Sequence, residues 1–335
     1  MYELLGICLA LAALLVFNAV ASSLSVILWR GLKHLVSHHS VIKRANMLFA
    51  LRVFPLASAI VCVLLLIIPA YVAHEPGMTG EVVTLKLAVI TSLSVTGLVL
   101  AIWRGFVTWR ATRQLITNWL NRAEPVSLEN ISIPAYRIDH QFPVIAVVGA
   151  IRPRLFIANQ VFDVLSREEI RAVVAHESGH IAAHDNLKRA LMRACRDLLM
   201  IVPCGRSLDL AWAASAEEAA DEYAACACGS FGALNLADAM IKISRAVQIG
   251  ARPTMHAGAF LIDETGGDVA RRVRRLTEAA AATDNPYRQG DAIVSGLIKW
   301  AFPASILLLI AFIATDSDIL KWTHIAIEQV MRLLQ

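Results

Sequence analysis

Ala175-His176-Glu177-Ser178-Gly179-His180-Ile181-Ala182-Ala183-His184-Asp185 decides how this chain is read. The stretch contains H-E-x-x-H. Residues four apart on an α-helix lie on nearly the same face, about one turn apart. His176 and His180 therefore offer two imidazole nitrogens to one metal ion, the spacing used by zinc hydrolases. Glu177 is placed to take a proton from a water on that metal, because bound Zn²⁺ lowers the water's pKa to about 7. Upstream, Ser166 followed three residues later by Glu169 predicts a capping box and a helix starting near Arg167. Ile170, Val173 and Val174 give that helix an apolar face.

A catalytic zinc usually has three protein ligands. His184 continues the row of 176 and 180, but residues eight apart are separated by about 12 Å along a helix axis. Zinc–nitrogen bonds are about 2 Å, so one ion does not hold both ends. The metzincin pattern fails as well, because Ala183 and Asn186 stand where its Gly and third His belong. The remaining option is an acid on a later helix. Ser215-Ala216-Glu217-Glu218-Ala219-Ala220-Asp221-Glu222 supplies one in a helix-forming context. Glu217 and Asp221 are four apart, so one can ligate while the other supports a ligand imidazole.

The chain has 335 residues, 57% hydrophobic and 17% charged. Soluble domains carry about 25% charged residues, so a membrane protein with one soluble region is expected. Four stretches are apolar enough to span: Leu4 to Leu28, Phe49 to Val72, Leu87 to Ile102 and Ala292 to Ala314. Ala19-Val20-Ala21 resembles a cleavage site. However, Tyr2-Glu3 gives no positive n-region, and an uncleaved anchor is expected.

Lys and Arg placement sets orientation. The first connection carries Arg30, Lys33, Lys43, Arg44 and Arg52. The second, around Pro76, carries no basic residue before Lys86. After the third span come Arg104, Arg110, Arg113 and Arg122. The first connection and the zinc domain are therefore expected in the cytoplasm, with both termini outside and the protein multi-pass in the inner membrane. Ile319 to Leu334 is amphipathic, as a surface-lying or ordinary exposed helix would be.

The net charge of +4 reflects the inside loops. No basic patch with interleaved aromatics points to direct nucleic-acid binding. Arg271-Arg272-Val273-Arg274-Arg275 reads as a solvated helix face. The six cysteines read as packing residues in a reducing compartment. Val107 to Arg122 predicts an amphipathic helix leaving the membrane. Phe142 to Val148 and Arg154 to Ala158 read as a strand pair around a turn-rich link, and Leu187 to Val202 as a second helix after the zinc helix. An edge strand there would hold an extended peptide by strand addition.

At this point the chain resembles the antirepressor membrane metallopeptidases, the family of β-lactam sensor-transducers. The resemblance rests on Pro143-Val144-Ile145-Ala146-Val147-Val148-Gly149 with Arg152-Pro153-Arg154-Leu155-Phe156-Ile157. It also rests on Ser166 to Ala175 leading into the zinc motif, Asp185 closing it, Glu217 with Asp221, and Arg271-Arg272-Val273. It implies an α+β, gluzincin-type zinc peptidase domain in a multi-span α-helical membrane protein. His176, His180 and Glu217 would hold Zn²⁺, Glu177 would be the base, and Asp221 and Asp185 would support the ligands. Oxyanion stabilisation is left to Tyr223, His256 or Arg272. The domains read as 1–104, three spans with a basic first connection; 105–290, the peptidase; 291–315, the fourth span; and 316–335, an outer tail. That tail is too short for the extracellular sensor domain of the sensor-transducers, so β-lactam sensing by that route is not expected.

The implied function is an endopeptidase cleaving cytoplasmic or membrane-proximal proteins, a winged-helix transcriptional repressor among them. The zinc helix also resembles the heat-shock and prenyl-protein membrane peptidases, which share H-E-x-x-H, the following Asp and E-x-x-x-D. That makes a quality-control peptidase the alternative enzyme. A non-catalytic membrane transducer is the alternative outside enzymes, and Glu177 argues against it, because a structural site needs no base.

Overall fold

The computed structural model describes residues 2–36, 40–75, 83–128, 131–199, 205–246, 266–281 and 316–334. Among these described residues, three helices are long and apolar enough to cross a membrane: Tyr2–His34, Val41–His74 and Leu85–Leu120. The first belongs to α1 (Tyr2–Val36). The second runs through α2 (Val41–Cys62), a π-turn at Val63–Ile67 and α3 (Ile68–His74). Pro69 lies in the first turn of α3. It lacks an N–H and crowds the carbonyl one turn back, and a widened turn accommodates both. The expected fourth span, Ala292 to Ala314, lies outside the described residues.

The third span and the amphipathic exit helix are one element, α4 (Leu85–Leu120), capped by the Thr84 hydroxyl accepting from Leu87 N–H at 3.3 Å. Its 36 residues make about 54 Å at 1.5 Å each, against a bilayer core of about 30 Å. Nothing between Ile102 and Val107 stops a helix, so α4 continues beyond the apolar stretch. The boundary read at residue 104 falls inside it.

Beyond α4, four strands form one sheet where the sequence suggested a pair. These are β1 (Glu124–Val126), β2 (Ala135–Ile138), β3 (Ile145–Val148) and β4 (Arg154–Ala158), in the order β1-β2-β4-β3. β2 and β4 are parallel, with Tyr136 opposite Phe156. β3 is antiparallel to β4 and forms one edge, with Ala146 opposite Phe156. Phe156 is fully buried, and Trp119 of α4 packs edge-on against it at 4.9 Å.

A short α5 (Asn159–Val164) leads to α6 (Arg167–Ala182), which carries the motif. The predicted capping box is present: Glu169 N–H donates to Ser166 Oγ at 3.2 Å, and Ser166 N–H donates to Glu169 Oε2 at 2.8 Å. Next come α7 (Asp185–Leu198), α8 (Arg206–Ala227), α9 (Gly232–Ala246) and α10 (Gly266–Ala281). One core joins the sheet to α6, α8, α9 and α10 through Leu155, Phe156, Val173, Ala224, Leu236, Met240 and Leu276.

The long apolar helices bind this domain at one end. Arg52 of α2 is buried and its Nε lies 2.9 Å from Asp209 Oδ1 of α8. Arg44 pairs with Glu218 and donates to Ser215 Oγ at 3.0 Å. A Cβ on Gly97 of α4 would lie 2.7 Å from the Leu198 carbonyl oxygen, so only glycine lets α7 approach there. At the other end, α11 (Ser317–Leu334) lays Ile327 and Met331 against Leu5, Leu9, Val63, Ile67 and Tyr71. One face of the expected surface helix, carrying Leu320, Ile327 and Met331, is therefore packed on the other helices.

Glu169 generates a pH prediction. Burial alone would raise its pKa, but the Lys242 ammonium at 2.6 Å and the Ser166 groups hold it below its ordinary 4.5. A depressed carboxylate stabilises the fold fully above its unfolded pKa, and that stability is lost as pH falls through the folded value. Glu169→Gln is expected to cost about 1 kcal/mol near neutral pH and to flatten the loss of thermal stability below about pH 4.5. Thermal melts of the detergent-solubilised protein across that range check both.

Candidate metal centre

Each side chain of the site comes from a different constraint. Helix period puts His176 and His180 on one face of α6. Gly179 lets that face approach α8, since a Cβ there would lie 3.1 Å from Ala220 Cα. The close approach brings Glu217 and Asp221 to the imidazoles, and α10 delivers Arg272 from beyond them.

His176 Nε2 is 3.6 Å from Glu217 Oε2, and His180 Nε2 is 3.6 Å from Glu217 Oε1. The two rings are nearly perpendicular, with centroids 4.9 Å apart. Ligand atoms of His176, His180 and Glu217 all lie within 4.8 Å of one another, a group that could hold a metal ion. The other imidazole nitrogens face carboxylates: His176 Nδ1 is 3.0 Å from Asp221 Oδ1, and His180 Nδ1 is 2.8 Å from Asp185 Oδ2. Carboxylates in that position orient metal-ligating imidazoles and leave Nε2 for the ion.

Burial and charge set the electrostatics. Burial alone would lower both imidazole pKa values, but the acids outweigh it. His176 shifts upward beside Asp221 and Glu217, and His180 is pushed up to about 10 by Glu217 and Asp185. Burial alone would raise the acids. Arg272 and His176 nonetheless pull Asp221 down to about 2, and His180, His176 and Arg272 hold Glu217 well below its usual range. Glu177 differs. It is 1% exposed, its Oε2 has no hydrogen-bond partner among the described residues, and burial shifts its pKa upward.

These observations test whether a metal fits. Two imidazole nitrogens and one carboxylate converge from two helices, the Nδ1 of each imidazole faces a carboxylate, and a buried acid whose Oε2 has no hydrogen-bond partner among the described residues adjoins the first histidine. That donor set matches a catalytic zinc site of His₂Glu type. Glu218 does not join it. It is engaged by Arg44 and by Arg275, whose Nη1 lies 3.0 Å from Glu218 Oε2. His184 is also outside the set: it is exposed, with Nδ1 3.2 Å from the Ala182 carbonyl.

Arg272 corrects the reading of the basic run as a solvated face. It is 5% exposed. Its Nε and Nη2 donate to the two Asp221 oxygens at 2.9 and 2.6 Å, and Nη1 lies 3.0 Å from Glu217 Oε2. Of the oxyanion candidates, Arg272 is thus engaged with two acids. Tyr223 lines a separate cavity of about 240 Å³ with Arg171, Ser178 and Cys228. His256 lies outside the described residues. The signal for Arg272 was its place in the apolar stripe of Val269, Val273, Leu276 and Ala280, which packs on the core.

The family model described as Peptidase family M48 matches residues 146–281. The matched segment runs from β3 to the end of α10 and contains every site residue above. It supports a metallopeptidase domain. No curated protein matches the chain.

Metal content separates the two neighbouring acids. Glu217→Gln is expected to lower zinc affinity by at least about tenfold, while Glu218→Gln retains wild-type metal. Zinc analysis of the purified proteins reads the difference, and the reverse pattern exchanges the assignments.

Proposed function

We propose that the chain is a membrane-embedded zinc endopeptidase that cleaves cytoplasmic or membrane-proximal protein segments. The buried His176 and His180, with the half-buried Glu217, beside the buried Glu177 whose Oε2 has no hydrogen-bond partner among the described residues, carry this reading. His176 Nε2, His180 Nε2 and a Glu217 oxygen would hold the metal, which when bound supplies a Lewis acid that makes water acidic near neutral pH.

Glu177 Oε2 accepts the proton of the attacking water and returns it to the leaving amine. Its burial favours this work, because a raised carboxyl pKa brings acid and base forms closer to balance. Asp221 and Asp185 hold the imidazole Nδ1 atoms, so each ring keeps Nε2 toward the ligand position. Arg272 anchors both Glu217 and Asp221. Edge strand β3 packs beside α6, so an extended segment pairing with its Ile145 end, before the Val147 and Gly149 carbonyls that Asn186 occupies, would pass next to the site.

The basic first connection supports a cytoplasmic domain, because Arg44 and Arg52 belong to the same end as α8. The resemblance to antirepressor peptidases makes a winged-helix repressor the first substrate to test. The unpartnered Glu177 favours catalysis over a purely structural metal site.

Glu177→Ala is expected to keep its zinc and lose about 10²–10⁴-fold of proteolysis, since ligation and proton transfer are separate roles. Casein hydrolysis with parallel zinc analysis tests this, and full activity with bound zinc overturns the mechanism. A single cysteine introduced near Glu124, in a background without reactive cysteines, should resist an impermeant thiol reagent in intact cells and react after lysis. Reaction in intact cells would reverse the topology.

A further inference from the structure

Between α6 and α7 the backbone takes a left-handed turn at a residue with a side chain. His184 has φ 56° and ψ 37°, and it is the non-glycine residue with positive φ among the described residues. A Cβ disfavours that conformation.

The neighbours show what the turn achieves. Ala183 N–H still bonds the Gly179 carbonyl at 3.0 Å, closing α6. Leu187 and Lys188 N–H groups already bond the His184 carbonyl at 3.1 and 3.0 Å, opening α7. Asp185 is thereby folded back until Oδ2 lies 2.8 Å from His180 Nδ1. In an unbroken helix, residues five apart point about 140° away from each other, so the contact needs the turn.

Asn186 fixes the other side. Its single Nδ2 donates to two carbonyls, Val147 at 3.0 Å and Gly149 at 3.1 Å. Ala158 N–H bonds the Val144 carbonyl, and Ala146 and Val148 lie opposite Phe156 and Arg154. Antiparallel alternation then turns the Val147 and Gly149 carbonyls away from β4, toward the free rim of the sheet. Asn186 ties the turn to that rim.

We propose that His184, Asp185 and Asn186 form a strap in which Asn186 is a positioning residue for the metal ligand His180, acting through Asp185. Asn186 holds the turn to the sheet, the turn holds Asp185 under the imidazole, and Asp185 fixes the ring with Nε2 toward Glu217. The proposal rests on the metal-site reading above.

The test uses the full-length protein in detergent. Zinc affinity is measured by chelator competition, and the ligand field is read from the visible spectrum of the Co²⁺-substituted protein. Asn186→Asp keeps the shape and loses the donor. It and Asn186→Ala are expected to weaken zinc binding about tenfold and to shift the Co²⁺ bands, with Asp185→Asn losing about 10–100-fold. Adding His184→Gly to Asn186→Ala is expected to restore part of the affinity, because glycine takes the left-handed turn without strain. Asn186→Ser, which keeps a shorter donor, carries the test if the other two do not fold, with a loss of about two- to fivefold expected.

An Asn186→Asp protein with wild-type affinity and an unchanged Co²⁺ spectrum overturns the strap. So does an Asn186→Ala protein that melts earlier while its folded fraction keeps the wild-type spectrum. Wild-type protein that takes up no zinc overturns the metal reading, and the strap falls with it.

Discussion

The buried contact of Arg272 with Asp221 and Glu217 is the interaction on which the rest of the site depends. Arg272 and Asp221 are nearly inaccessible, and their contacts lie between 2.6 and 2.9 Å. Removing one partner of such a pair costs about 3–5 kcal/mol, whereas replacing the whole pair by apolar groups is often neutral. Stability alone therefore does not explain it. What the pair supplies is placement: it locks α10 onto α8 and holds two carboxylates toward α6. Asp185, Glu217 and Asp221 outnumber the Arg272 guanidinium and the Lys188 ammonium, which lies 3.8 Å from Asp185 Oδ1. A buried surplus of negative charge is held by protonated imidazoles or by a cation, and the raised pKa values of His176 and His180 express the first of these. A divalent ion would supply the second.

The same helix that carries Glu217 is tied to the candidate membrane helices. Along α8, Asp209 meets Arg52, Ser215 and Glu218 meet Arg44, and Glu217 and Asp221 meet Arg272. Membrane-side and metal-side partners are therefore spread over about three turns of one rigid element. Lys188 adds a tie from α7, donating to Asn46 of α2 at 3.0 Å. A shift of α2 against α8 would have to break buried or half-buried charge pairs. The peptidase domain and the spans are thus one mechanical unit at this end of the bundle.

Much of this was legible because short-range rules apply to it. The capping box needs only Ser166 and Glu169, and the alignment of His176 with His180 needs only helix period. The acid on a later helix followed from excluding His184 on length. Long-range facts were hidden. β1 and β2 are three and four residues long, and β1 contains Pro125, so neither gives a strand pattern. Arg272 was masked by three basic neighbours, Arg271, Arg274 and Arg275, although its position continued the apolar stripe of α10. Asn186 looked like an ordinary residue after the motif, because its partners, the Val147 and Gly149 carbonyls, lie almost forty residues away. The unity of α4 was missed because its polarity changes at Trp103-Arg104 while its backbone does not.

The geometry of the ligand set finally rests on the absence of side chains. Gly179 lies between the two histidines' turns and meets Ala220 of α8. Along α8, Ala216, Ala220 and Ala224 are nearly inaccessible, so small residues line its inward face. Their size decides how near the two axes come, since interaxial distance follows the side chains at the contact. A larger residue at 179 or 220 would leave every ligand in place on its own helix and still separate the imidazoles from Glu217. Metal–ligand bonds tolerate an error of about 0.2 Å, so the closeness of this helix pair is as much a part of the centre as the histidines themselves.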